Sequence, residues 1–67
     1  MNLKEFLQLI DYGEIINLWH SSEKCYLQME EYKEDIEEEY FNYEVVGINT
    51  NYDEYGNALL EINIVNT

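Results

Sequence analysis

Residues 30–42 read EEYKEDIEEEYFN, and the conformation assigned to them decides the fold. Tyr32, Ile36 and Tyr40 recur every four residues, and Phe41 broadens the stripe they make. Nearly all other positions are acidic, so the pattern predicts an amphipathic helix with a charged outer face. On the N-terminal side, residues 14–20 (EIINLWH) are rich in β-branched and aromatic side chains. Residues 21–24 (SSEK) read as a turn, and residues 25–29 (CYLQM) alternate, so the two runs predict a hairpin. Cys25, Leu27 and Met29 share one face of its second strand. In its first strand, either Ile16 and Leu18 or Ile15 and Trp19 point inward. On the C-terminal side, residues 43–52 (YEVVGINTNY) and 58–66 (ALLEINIVN) form a second hairpin around Asp53-Glu54-Tyr55-Gly56-Asn57. Gly56 or Asn57 suits a positive φ in that turn.

The chain opens with a second stripe, Leu3, Phe6, Leu7 and Ile10, preceded by Asn2 as N-cap and Glu5 as its capping-box partner. Asp11-Tyr12-Gly13 follows, with Gly13 suited to the left-handed conformation that ends helices. The order helix–strand–strand–helix–strand–strand predicts a single α+β domain over residues 1–67. Its expected architecture is two layers, with both helices on the apolar face of a four-stranded antiparallel sheet.

Composition narrows function. The chain has 67 residues, 15 acidic side chains, three lysines, no arginine and a formal net charge of −12. Phosphate binding needs clustered Lys and Arg, so nucleic acid is excluded as a direct ligand. An anionic membrane surface is disfavoured on the same ground. The apolar fraction of 46% and aromatic fraction of 15% argue against disorder. No apolar run is long enough to span a bilayer as a helix, and residues 1–10 carry Lys4 and Glu5 instead of a signal-peptide core. With one cysteine, Cys25, and no internal disulfide to make, the expected setting is a reducing cytoplasm.

Eight acids lie between Glu30 and Glu44, with Lys33 as the one cation among them. On a helix, Glu31, Glu34 and Glu38 form one row and Glu30, Glu34 and Glu37 the next, with neighbours about 5–6 Å apart. Each like-charge pair costs a few tenths of a kcal/mol, and Glu37, Glu38 and Glu39 sit unfavourably toward the negative end of the helix dipole. A carboxylate row of this kind is a coarse imitation of DNA, which carries one charge per about 1.7 Å of axis. It suits the basic groove of a nucleic-acid-binding protein. The candidate protein-binding residues are Glu30, Glu31, Glu34, Asp35, Glu37, Glu38 and Glu39, with Tyr32, Tyr40, Tyr43 and Tyr55 as aromatic anchors. The plainer reading is a solvated charged face. A halophilic surface is a third, but it favours Asp, and Glu dominates here.

Other chemistry finds little purchase. Asn49, Asn51 and Asp53 have the first spacings of a calcium loop, but Glu54 and Leu60 occupy the positions that need Gly and Glu. His20 and Cys25 flank the first hairpin turn without an orienting group or oxyanion hole, and one Cys plus one His cannot close a zinc site. Gly47, inside a strand, marks a bulge or a close approach by a helix aromatic. The expectation is no enzyme, no metal and no cofactor.

The combination of LKEFLQLID (3–11), WHSSEK (19–24), EEYKEDIEEEYFNYEVVGI (30–48) and an isoleucine-rich last strand resembles small proteins of phages and mobile elements of low-GC Gram-positive bacteria. Compact acidic inhibitors of host nucleic-acid machinery recur among these, including anti-CRISPR and anti-restriction proteins. The resemblance implies an inhibitor whose partner is a basic nucleic-acid-binding protein such as a CRISPR–Cas effector. The alternative is a homo-oligomeric accessory module, paired through an edge strand at residues 58–66 or 14–20.

Overall fold

A computed structural model describes residues 1–66. Helix α1 spans Leu3–Leu7, and strands β1 to β4 span Ile16–His20, Cys25–Glu31, Glu44–Tyr52 and Ala58–Val65. The strands form one sheet in the order β2-β1-β4-β3. Both hairpins are antiparallel, but they join through a parallel pairing of β1 with β4 that runs from Ile16 opposite Leu60 to His20 opposite Ile64. The domain is α+β with little helix, and its sheet is mixed, not antiparallel throughout. The central position of β1 and β4 also removes the two edges proposed for pairing; the edges are β2 and β3.

The four-residue stripe at 30–42 does not become a helix. Glu30 and Glu31 complete β2, and two single 3₁₀ turns follow at Lys33–Asp35 and Glu38–Tyr40. Neither turn has a side-chain cap. The physical reason is the penalty visible in the sequence. A continuous helix would stack like charges at i, i+3 and i+4 and place three glutamates at its negative end. The short turns avoid that stacking and still bury Ile36, which is 4% exposed. The side-chain amide of Gln28 holds the segment: its Nε2 donates to the Asp35 carbonyl at 3.1 Å, and its Oε1 accepts from Glu37 N–H at 2.8 Å.

The core lies under one face of the sheet. Ile16 and Leu18 of β1 and Ile62 and Ile64 of β4 meet Leu3, Leu7, Ile10 and Ile36 there, with Tyr40, Phe41 and Tyr43 packed at the margin. This selects Ile16 and Leu18 over Ile15 and Trp19 as the inward pair. The capping box forms as expected, with Glu5 N–H donating to Asn2 Oδ1 and Asn2 N–H to Glu5 Oε1. The helix ends at Leu7, and Gly13 does not take a positive φ, since tight backbone bonds from Leu9 to Phe6 and from Ile10 to Leu7 terminate it earlier. Ile10 stays buried beyond the last helical turn, so the stripe outlasts the helix.

Period two places Asn17 and Trp19 of β1 on the opposite face, beside Glu61 and Asn63 of β4. Asn17 is polar yet only 3% exposed. Its Oδ1 accepts Glu30 N–H at 2.7 Å, at one of the two register shifts of β2 against β1. Glu30 takes φ 53° there, a left-handed conformation that costs a non-glycine residue about 1–2 kcal/mol. Asn17 therefore fixes the bulge that Glu30 strains to make. Gly47 lies at a third irregularity, between β3 and β4; a Cβ there would approach Asn63 Nδ2 to 3.1 Å, so the close neighbour is an asparagine side chain and not a helix aromatic.

Two substitutions separate these roles in urea unfolding. Asn17→Ala removes the acceptor of the part-buried Glu30 N–H and is expected to cost about 1 kcal/mol. Glu30→Gly relieves the strained φ and is expected to leave stability unchanged or raise it by up to about 1 kcal/mol. A stabilised Asn17→Ala protein would refute this account of the bulge.

Candidate functional site

The acidic segment connects β2, at one edge of the sheet, to β3, at the other, so it must cross the core face. Strands lie about 4.8 Å apart, which makes the crossing about 14 Å wide. Ile36 anchors its middle, and Tyr40 and Phe41 pack against the core at its far end. Glu34, Asp35, Glu37, Glu38 and Glu39 are all exposed, and Glu31, opposite Ile16, is half-buried. A band of carboxylates across one layer of the molecule therefore exists, but as a kinked strap and not as a ruled helix face.

Lys33 stands inside that band and turns away from it. Its Nζ donates to the Ile10 carbonyl at 2.6 Å and the Leu7 carbonyl at 3.3 Å, and lies 4.1 Å from the centre of the Tyr12 ring. The cation thus bonds carbonyls at and just beyond the C-terminal end of α1, where the helix dipole also favours it. Its charge is directed at backbone rather than at the neighbouring glutamates.

The aromatic candidates divide into three settings. Tyr32 is exposed beside the first 3₁₀ turn. Tyr40 and Tyr43 are half-buried, with ring centres 5.4 Å apart in edge-to-face geometry, and Tyr43 meets His20 in the same manner at 5.8 Å. Burial first, and then the adjacent Glu39 carboxylate, raise the Tyr40 phenol above its ordinary range. These two tyrosines secure the end of the strap as much as they face solvent. Tyr55 is 82% exposed at the tip of the β3–β4 hairpin and lines a cleft with Glu30, away from the 3₁₀ turns. The structure therefore groups Glu34 to Glu39 with Tyr32 and Tyr40, and groups Glu30 with Tyr55.

Asp53 organises that hairpin tip. Its Oδ1 accepts N–H from Tyr55 at 2.9 Å and from Asn57 at 2.8 Å, while Asn57 Nδ2 donates to Oδ2 at 3.2 Å. Backbone bonding from Asn57, foremost, holds the carboxyl below its ordinary value. Gly56, at φ 85°, supplies the positive φ expected of this turn. The calcium-type spacing that includes Asp53 is thus a turn motif.

His20 and Cys25 are register partners across the first hairpin, and both ring nitrogens of His20 bond to other groups. His20 is 2% exposed. Its Nδ1 receives Glu23 N–H at 3.1 Å, so Nε2 carries the proton toward Asn66 Oδ1 at 2.9 Å. Cys25 is exposed. Among the described residues, no group of three or more His, Cys, Asp and Glu side chains is placed to hold a metal ion, and no helix is long and apolar enough to cross a membrane. No protein-family model matches the chain, and searches of curated proteins and of solved structures return no match.

Two expected outcomes follow from the placement of Lys33 and Asp53. Lys33→Ala should destabilise by about 1–2 kcal/mol, with most of the loss persisting near 1 M salt, because the lost partners are carbonyls and a ring. Rescue of the variant by salt would show that carboxylate pairing was the main role. For Asp53, a lowered folded pKa means its contribution is present above the ordinary value of 3.8 and is lost as pH falls through the lowered value. Amide shifts of Tyr55 and Asn57 in an acid titration should move in that window, and Asp53→Ala should abolish the step.

Proposed function

We propose that the protein is a non-enzymatic inhibitor of the kind carried by phages, which binds the basic, nucleic-acid-binding surface of a host defence effector in the manner of anti-CRISPR proteins and competes there with nucleic acid. The observation that carries this reading is the orientation of Lys33: the one cation within the acidic strap bonds to backbone, which leaves Glu34, Asp35, Glu37, Glu38 and Glu39 facing solvent. A concentrated negative band whose one cation is turned toward backbone is suited to long-range attraction and fast association with a basic groove. The kinked course of the strap replaces the helical charge row with an irregular one. Resemblance to duplex DNA is then a matter of charge density and not of regular spacing. Such a protein works in the cytoplasm that holds its target.

The test is displacement of labelled duplex DNA from basic nucleic-acid-binding proteins, CRISPR–Cas effectors first. Displacement is expected to weaken steeply with salt. Joint reversal of Glu34, Glu37 and Glu38 to Lys should reduce it by more than about tenfold, since like charges across an interface cost several kcal/mol. Displacement that ignores salt and survives this reversal would overturn the proposal.

A second reading, self-association, is favoured by one feature of β3. Residues 46–52 contain no charged side chain and lie on an edge strand that lacks the lysines and prolines that usually blunt such edges, beyond the point where the Asn2–Glu44 bridge and the Val45 N–H bond to the Met1 carbonyl cover its start. Two copies carrying −12 each can meet there with the fewest opposed carboxylates. Sedimentation should then show a dimer that tightens with salt and is lost in Thr50→Pro; a monomer at every salt concentration would remove this reading.

A further inference from the structure

The face of the sheet opposite the core carries a cleft of about 310 Å³, between β2 and the curled tip of the β3–β4 hairpin. That volume is at the small end of ligand sites and matches a single side-chain-sized group. Asn17 and Leu59 form its floor, both buried, and three tyrosines, Tyr26, Tyr52 and Tyr55, line it. Tyr52 and Tyr55 are largely exposed, so much of each ring is open to solvent. Tyr26 is steadied on both sides: its ring meets Trp19 edge to face at 4.8 Å, and its hydroxyl donates to Glu61 Oε2 at 2.8 Å.

The charges of the lining have one sign. Glu30, Asp53 and Glu54 contribute carboxylates, and no lysine lines the cleft. Asp53 already accepts the hairpin amides, which leaves Glu30 and Glu54 for a ligand. Glu30 stands on the strained bulge residue, and bulges commonly re-aim a side chain beside a site. Rings with carboxylates beside them repel anions and gain little from a neutral apolar group. They attract an organic cation, and among biological cations the guanidinium fits best. It is planar, more weakly hydrated than an ammonium, and stacks on aromatic faces while its N–H groups reach carboxylates.

We infer that this cleft receives an arginine side chain presented by a basic protein partner. The inference extends the proposed function by giving the partner a specific anchor on the other face of the sheet from the acidic strap. The strap supplies attraction at a distance, and the cleft supplies a short-range contact that depends on shape and charge together.

The experiment is an NMR titration of the intact protein with N-acetyl-arginine amide, and with N-acetyl-citrulline amide as the uncharged isostere. The arginine probe is expected to give saturable shifts confined to the Tyr26, Tyr52 and Tyr55 rings and the Glu30 amide. Tyr55→Ala, at an exposed turn position, should weaken binding about fivefold, the equivalent of one exposed cation–π contact. Glu30→Gln, which keeps the bulge backbone, should weaken it by a similar factor. Equal shifts with citrulline, shifts that spread along residues 34–39, or indifference to both variants would overturn the inference. Saturable binding here with failed DNA displacement upholds the cleft and refutes the proposed function. Displacement through the strap with no arginine binding here does the reverse.

Discussion

Everything in this domain hangs on the parallel pairing of β1 with β4. Each hairpin alone is marginal in water, and neither has a second apolar surface to bury. Joined along Ile16–His20 and Leu60–Ile64, they place Ile16, Leu18, Ile62 and Ile64 side by side as the fully buried centre of the core. The same pairing sends β2 and β3 to opposite edges, although they are consecutive in the chain. The residues between them have no choice but to cross the sheet. The acidic segment is therefore first a connection with a distance to cover, and its charge is carried along that path.

That ordering explains why the segment is not the helix that its pattern predicts. A four-residue recurrence of Tyr32, Ile36 and Tyr40 is a helical signal, but only Ile36 is fully buried, while the two tyrosines serve different neighbours. The opposing signals were also legible: like charges at helical spacing, glutamates at the wrong end, and no capping residue before Glu30. Weighed as energies, they argue against a helix. Gln28 was the piece that no periodicity could reveal, because its two bonds to the strap depend on which strand lies beneath it.

Apart from the helix stop expected at Gly13, the local signals hold where the chemistry is local. The Asn2–Glu5 capping box, the Ser21–Lys24 turn, the positive φ at Gly56 and the alternation of Leu60, Ile62 and Ile64 depend on neighbours a few residues away. What sequence could not supply was the relation between the hairpins. A hairpin reads the same whether it joins its neighbour parallel or antiparallel, so local pattern leaves open that β1 and β4 are central and β2 and β3 the edges. For the candidate site, the exposure of Glu34 to Glu39 was legible as composition, whereas the turning of Lys33 toward Leu7 and Ile10 needed the fold.

The bulge at Glu30 divides the acidic run between the two faces of the sheet. Up to Glu30 the chain belongs to β2, and Glu30 itself lines the cleft opposite the core. From Tyr32 onward the chain turns beneath the core face and carries its carboxylates there. The hinge between these arrangements is one hydrogen bond, Glu30 N–H to the buried Asn17 carboxamide. A polar residue is tolerated in so small a domain because its acceptor fixes a backbone group that would otherwise be unpaired. With the register of β2 set by that bond, Glu30 cannot join Glu34 and Glu37 in a single row. A partner that engages both carboxylate groups must therefore reach around the β2 edge, which demands a surface wider than one groove and more discriminating than charge attraction alone.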